Sequence, residues 1–407
     1  KDKALVQQLP RIEKESKKIS DLLAIAYPLM KEYLDKSDEF ADGFRFPHGD
    51  VGSTIRDLAG QITQHTSAWL GRLEVLEDTL SEALSDKQYP IATAEIELFY
   101  QQSGIWLSGA ERLLGLWGRL HKQSKQDDIP IACWLKLDDT SPGNIDISIN
   151  ASPIQAAEIL KDRLWGNCFG AVMTSATLRS LGNFNALQRE TGVPSSAFFL
   201  SVAGAFDYTK SASLVVPADA VEGNSVEEHT QYIVKNLSSL VEDKVGTLTL
   251  FSSKRQMQQV FDDLPNDLVK LILIQGQFSN REMIRLHKER IDQGRTSVLM
   301  GLASFAEGVD LPGDYCRHVI ISKLPFAVPN EPLQQALAEW IESQGGNSFF
   351  DISLPVASLR LIQAAGRLLR TEADTGTVTI LDKRIVSKRY GSQLLNALPP
   401  FHREIGC

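Results

Sequence analysis

Apolar residues recur at three- and four-residue steps through the first third of the chain. They run Ile12, Ile19, Leu22, Leu23, Ala26, Leu29, Met30 and Tyr33, then Ile55, Leu58, Ile62, Leu73, Leu76, Leu80 and Leu84, then Leu107, Ala110, Leu113, Leu114, Trp117 and Leu120. That period predicts three or four long antiparallel helices over residues 1–129. Breakers at Pro47-His-Gly49 and Asp86-Lys-Gln-Tyr-Pro90 separate them. From Pro130 the period shortens to two. Ile131 to Leu137 and Ile145 to Ile149 alternate about the turn-forming stretch Asp138 to Asn144, the pattern of a hairpin. A helix is expected near 154–164, and the apolar run Cys168 to Met173 reads as a buried strand leading into Thr174-Ser-Ala-Thr-Leu178.

After about residue 221 helical and strand patterns alternate. Helices are predicted around 226–240, after Ser253, around 280–293 and at Arg360; strands are predicted at Gly246 to Phe251, Leu271 to Ile274, Ser297 to Met300, His318 to Ser322 and Thr377 to Leu381. Strand, helix, strand at this interval implies an α/β domain, a parallel sheet covered on both faces.

Candidate chemistry enters at two stretches. On a helix, Arg360, Gln363, Arg367 and Arg370 share one face while Leu361, Ile362, Ala365, Leu368 and Leu369 fill the other. Two arginines a turn apart beside a glutamine suit a polyphosphate, and Gly366 leaves room for close approach. An ordinary amphipathic surface helix would read the same way if the helix stood alone. About fifty residues earlier, Ser297 to Met300 ends in the loop Gly301 to Gly313, which carries Glu307, Gly308 and Asp310. Functional loops sit at such strand ends.

Ser304, Phe305, Glu307, Gly308, Val309, Asp310, Pro312 and Gly313, followed by Lys323-Leu-Pro-Phe326 and Gln363-Ala-Ala-Gly-Arg-Leu-Leu-Arg370, resemble motifs V, Va and VI of superfamily 2 helicases of the XPD/DinG branch. Ser175-Ala-Thr177 resembles motif III and Phe251-Ser-Ser253 motif IV. The carboxyl end, Leu381 to Arg384 and Leu398 to Phe401, is most similar to the YoaA-like group of that branch. The resemblance implies a helical arch-like domain over 1–129, the end of a first RecA-like motor domain over 130–217, and a second RecA-like motor domain over 218–407. Phe206-Asp-Tyr208 and Leu214 to Pro217 would be the exit from the first motor.

By the same resemblance, Arg367 and Arg370 are arginine fingers on ATP, assisted by Gln363 and by Glu307. Gly308, Asp310 and Gly366 lie beside the nucleotide, and Ser252, Ser253, Ser175 and Thr177 contact single-stranded or forked DNA. Movement would be 5′ to 3′, in DNA repair or replication. No G-x-x-x-x-G-K-[ST] loop and no DEAH box occur in the chain. ATP and Mg²⁺ would therefore be held mainly by a missing amino-terminal motor half, which would also carry the family's 4Fe-4S cluster. The chi subunit of the DNA polymerase III clamp loader is a partner that the YoaA-like group suggests, with Phe401 to Ile405 as a docking tail.

Composition changes this picture little. The 407 residues carry a net charge of −9; residues 1–150 hold 17 basic against 24 acidic side chains, or −7, which leaves −2 for the remainder. A nearly balanced carboxyl half accommodates a local basic groove. Cys133, Cys168, Cys316 and Cys407 are too far apart for a CxxC pair, so no metal ligand is assigned. No apolar run is long enough for a bilayer span, and a cytoplasmic address is expected. His48, His65 and His121 are expected to be solvated. Two other classes stay open at this stage: a nucleotide-sugar transferase with a Rossmann-like carboxyl domain, which the arginine pair alone allows, and a non-catalytic docking scaffold.

Overall fold

The helical period of the first third produces three helices, Asp2–Asp35, Gly52–Ser85 and Thr93–His121. The computed structural model of the protein describes residues 2–36, 43–86, 91–122, 129–141, 144–306, 308–327 and 331–406. Residues 87–90 of the second expected breaker and 142–143 of the hairpin turn lie outside them. Ala26 and Met30 of the first helix meet Ile55, Leu58, Ala59 and Ile62 of the second and Trp117 and Leu120 of the third. Trp117 is fully enclosed, at 1% exposure, so truncating it to alanine would cost about 3–5 kcal/mol.

The hairpin forms as expected. Strand β1 (Gly43–Phe46) pairs antiparallel with β2 (Ile131–Ser141), which pairs antiparallel with β3 (Asn144–Pro153). Sequence periodicity missed β1, whose four residues are too short to show a period. It is fixed by tertiary contact: at Gly49, with φ +71, an added Cβ would fall on the Ile131 carbonyl oxygen. Cys133 and Leu135 seal the hairpin onto the helices, and burial pushes the Cys133 thiol up to about 12.

The hairpin therefore stands with the helices. Lys1–Gln155 and Pro329–Gly345 make one compact unit, Ala156–Val328 and Gly346–Cys407 the other, whereas the sequence placed 130–217 with a first motor domain. The inserted helix Pro332–Ser343 explains its own membership. Ala336 packs on Ala132 and Ile154, and Arg45 forks onto the Glu339 carboxylate at 2.8 and 2.5 Å.

The second unit is built on a seven-stranded sheet. Its strands are β4 (Ala212–Val216), β5 (Gly246–Phe251), β6 (Ile272–Ile274), β7 (Ser297–Leu302), β8 (His318–Ile321), β9 (Gly376–Ile380) and β10 (His402–Ile405). They lie in the order β10-β4-β9-β8-β5-β7-β6, and every neighbouring pair is parallel. Leu299, Val319 and Ile321 enter one core while Val298, Met300 and Ile320 enter the other. That alternation is what a sheet with both faces covered requires.

Three expectations change here. Leu214 to Val216, read as the exit from another domain, lies inside this sheet between β9 and β10. The expected docking tail is consumed likewise: Phe401 is 5% exposed and His402–Ile405 ladders onto β4. Among the described residues no strand forms over Cys168–Met173. That run has no neighbouring strand to complete a hydrogen-bond ladder, and Phe169 and Val172 are fully exposed. No helix among the described residues is long and apolar enough to cross a membrane.

Of the three histidines expected to be solvated, His48 is exposed, and His121 stands 3.3 Å from the Arg56 carbonyl oxygen. His65 departs from the expectation. Its Nδ1 is 2.7 Å from Oε2 of the buried Glu15, because the helix faces that carry them are packed together.

Candidate functional site

Parallel strands deliver their following loops to one edge of the sheet, and at that edge a cavity of about 250 Å³ opens. Phe251 and Ser252 reach it from the end of β5, Leu302 to Ser304 from the end of β7, and Pro325 to Ala327 from the segment after β8. Arg360, Gln363, Ala364 and Arg367 close the remaining side. Two guanidiniums, an amide and two serines facing one cavity make a set of donors suited to an anion with several oxygens.

The helix that supplies three of these side chains is Leu354–Ala365. It ends before Arg367, so the arginines do not share one helix face as predicted. Gly366 caps it in ordinary right-handed geometry, with φ −67 and ψ −3, and the chain then turns. The apolar half of the prediction holds the turn in place: Leu361, Ala365 and Leu368 are fully buried and Leu369 nearly so. Convergence is achieved by another route. Arg367 Nη1 donates to the Val309 carbonyl at 3.2 Å and Arg370 Nη2 donates to the same oxygen at 2.9 Å. Asp310 stands 3.4 Å from Arg370 Nε, with its own side chain 76% exposed.

Gly308 is exposed, with open space where a Cβ would be; at Gly366 a Cβ would lie 3.1 Å from the Ile362 carbonyl oxygen. Glu307 lies outside the described residues. Gln363 Nε2 donates to Thr177 Oγ1 at 3.5 Å, so the expected motif III threonine joins the expected motif VI glutamine. Ser175 closes a local turn, accepting from the Thr177 N–H at 3.3 Å. The two serines after β5 have separate tasks. Ser252 lines the cavity, whereas Ser253 caps the helix Lys254–Asp263 by accepting from the Gln256 N–H.

Two buried carboxylates were missed by the sequence reading. Asp374 accepts from the Arg370 and Thr371 N–H groups at 2.7 and 2.9 Å, from the Thr371 hydroxyl at 2.6 Å and from the Gly313 N–H at 3.1 Å. Burial pushes its pKa up, but these bonds outweigh that and hold it below the usual carboxylate range. Asp382 is wholly buried; it accepts from the Leu324 N–H at 3.0 Å and pairs with Arg384 at 2.6 Å. Burial pushes it up too, and Arg384 leads the contacts that bring it down. Its signal was the Leu381 to Arg384 run, whose pattern says nothing about the bond to Leu324. Among the described residues no three His, Cys, Asp or Glu side chains gather as a metal site.

Residues 236–401 match the helicase C-terminal domain family. The chain is 38% identical to the ATP-dependent DNA helicase DinG of Photobacterium profundum, over 89% of its own length and 52% of that protein. It is 30% identical to the protein of the same name from Escherichia coli K12, over 96% and 54% respectively. It thus spans about half the length of the curated relatives it matches. Among solved structures, S. tokodaii Xpd4 superposes with a TM-score of 0.53 at 13% identity, over 98% of this chain and 70% of that one; this likeness speaks for the fold alone.

Proposed function

The chain belongs to the XPD/DinG family of superfamily 2 helicases and corresponds to its carboxyl-terminal part, and from that premise we propose that it supplies the phosphate-sensing arginines and part of the DNA track of an ATP-dependent DNA helicase. The observation that carries the reading is the joint docking of Arg367 and Arg370 on the Val309 carbonyl. Two guanidiniums held on one loop carry the planar, two-pronged geometry that matches the oxygens of a γ-phosphate. ATP fits such a donor set. Bound ATP with Mg²⁺ supplies the phosphoryl group and the metal's charge neutralisation, and this chain's part is to orient and stabilise.

In this proposal the helical unit, Lys1–Gln155 with Pro329–Gly345, acts as an arch-like wall, the stretch 156–211 completes a first motor domain, and the seven-stranded sheet with its helices is the second motor. Gln363 assists the arginines through its reach to Thr177, and Glu307, Gly308, Asp310 and Gly366 border the nucleotide. Ser252 and the N-terminus capped by Ser253 meet DNA phosphates, with Ser175 and Thr177 beside them, positioning the strand without reading its bases. Polarity is 5′ to 3′ and the pathway is DNA repair or replication, in the cytoplasm. An amino-terminal half carries the Mg²⁺ ligands and the 4Fe-4S cluster. The exposed apolar segment around Phe169, Val172, Phe198 and Val202 receives that half. The chi subunit of the polymerase clamp loader is the proposed outside partner.

Mixing the chain with a separately produced amino-terminal half tests the division of labour. DNA-stimulated ATP hydrolysis is expected from the mixture and from neither part alone. Turnover by the 407 residues in isolation, or none from a stable mixture, would refute it.

A further inference from the structure

Asp374 lies outside the motifs and is 4% exposed, yet it joins the turn that bears Arg370 to the loop that bears Val309 and Asp310. One oxygen takes the Arg370 and Thr371 N–H groups; the other takes the Thr371 hydroxyl and the N–H of Gly313, 61 residues away. A carboxylate has about four lone-pair sites, and here all four are used. None is left to pair with a guanidinium, so that of Arg370 extends outward to Val309 and Asp310. Gly313 sits at φ +61, in a left-handed turn that brings its N–H to the carboxylate and closes the loop bearing Val309 and Asp310.

We infer that Asp374 is the positioning residue of the arginine pair: by fixing the Arg370 backbone to the Gly313 turn, it sets the separation between the Arg370 guanidinium and the loop that aims it. The inference rests on the reading of Arg370 as a phosphate contact. Asparagine at 374 presents one oxygen and one N–H₂ group to four donors, so half of the lacing is lost with almost no change of volume. Asp374 touches neither the cavity lining nor any proposed DNA contact, and strand binding is therefore expected to be unaffected.

A double-mutant cycle in the full-length enzyme separates positioning from general structure. Asp374→Asn should lower kcat at least ~10-fold and leave single-strand affinity within about twofold. Arg370→Lys should lower kcat further, and adding Asp374→Asn to it should change kcat by no more than about twofold, because the group being positioned is already impaired. Multiplicative losses in the double variant would overturn the inference while sparing the reading of Arg370. Wild-type kcat in Arg370→Lys would overturn both. Amide exchange of the 407-residue Asp374→Asn chain supplies the folding control: Gly313, Arg370 and Thr371 should exchange faster while β8 and β9 keep their protection. Loss of protection across those strands would make Asp374 a structural residue only.

Discussion

Arg370 donates through Nη2 to the Val309 carbonyl at 2.9 Å, although the helix expected to carry it ends at Ala365. A post-helical turn, laced by Asp374, does the work that a continuous helix face was expected to do. The distinction matters for chemistry. A guanidinium on a turn held by hydrogen bonds can be displaced by small changes in that turn, whereas one on a helix moves only with the helix.

Stability should fall as the solution is acidified from about pH 6.5 towards pH 4. His287 is fully buried, with Nε2 donating to the Tyr315 carbonyl at 2.8 Å and Nδ1 accepting from the Ser297 hydroxyl at 2.9 Å. Burial lowers its pKa from 6.5 to about 4. The unfolded chain therefore binds a proton in this window that the native chain refuses, and unfolding is favoured as pH drops. The full effect amounts to about 3 kcal/mol. Burial also lowers His229 and His318, so they act in the same direction. Urea midpoints at pH 7 and pH 4.5 check this, with His287→Gln expected to reduce the difference.

The adjacent serines should separate stability from binding. Ser253→Ala removes the cap of Lys254–Asp263 and should lower stability by about 1 kcal/mol. Ser252→Glu places a negative charge at the cavity without removing a cap. It should leave the melting temperature unchanged and weaken single-strand binding by the full-length enzyme, equally for all base sequences. Equal melting shifts for the two variants would show that their tasks are not divided in this way.

Much of this was legible in the sequence because it depended on period. Long helices and buried parallel strands repeat often enough to be read, and the motif resemblance named Ser252, Gln363 and Arg367, which line one cavity, and Arg370, which shares the Val309 carbonyl with Arg367. What stayed hidden depended on single contacts. β1 follows from its pairing with β2, and Pro332–Ser343 joins the helical unit through Arg45 and Glu339; neither leaves a periodic trace. Asp374 looks like any acidic turn residue until its four donors are seen. Cys168 to Met173 has strand composition without strand neighbours, so propensity there points to a structure that this chain alone does not build. The nucleotide-sugar transferase and scaffold readings, open on the arginine pair alone, find no support in the likeness to DinG helicases.

That segment yields a third prediction. Amides of residues 169–174 and 198–202 of the isolated chain should exchange within seconds, because Phe169, Val172, Phe198 and Val202 are exposed and neither stretch forms a helix or strand. Those of β5 and β7, buried on both faces, should be protected by orders of magnitude more. Adding the amino-terminal half should slow the first group and leave the second alone. Equal protection in the isolated chain would mean that the segment is already complete.

The central claim, that Arg367 and Arg370 act on the nucleotide rather than merely tie down a loop, is tested most directly by turnover. In the full-length enzyme Arg367→Lys and Arg370→Ala should each reduce DNA-stimulated kcat by ~10³-fold or more, the scale of an arginine finger, with single-strand affinity nearly unchanged. Lysine cannot reproduce the planar two-pronged contact. If both variants hydrolyse ATP at the wild-type rate and differ only in stability, by about 0.5 kcal/mol or less, the two arginines are surface residues and the account fails.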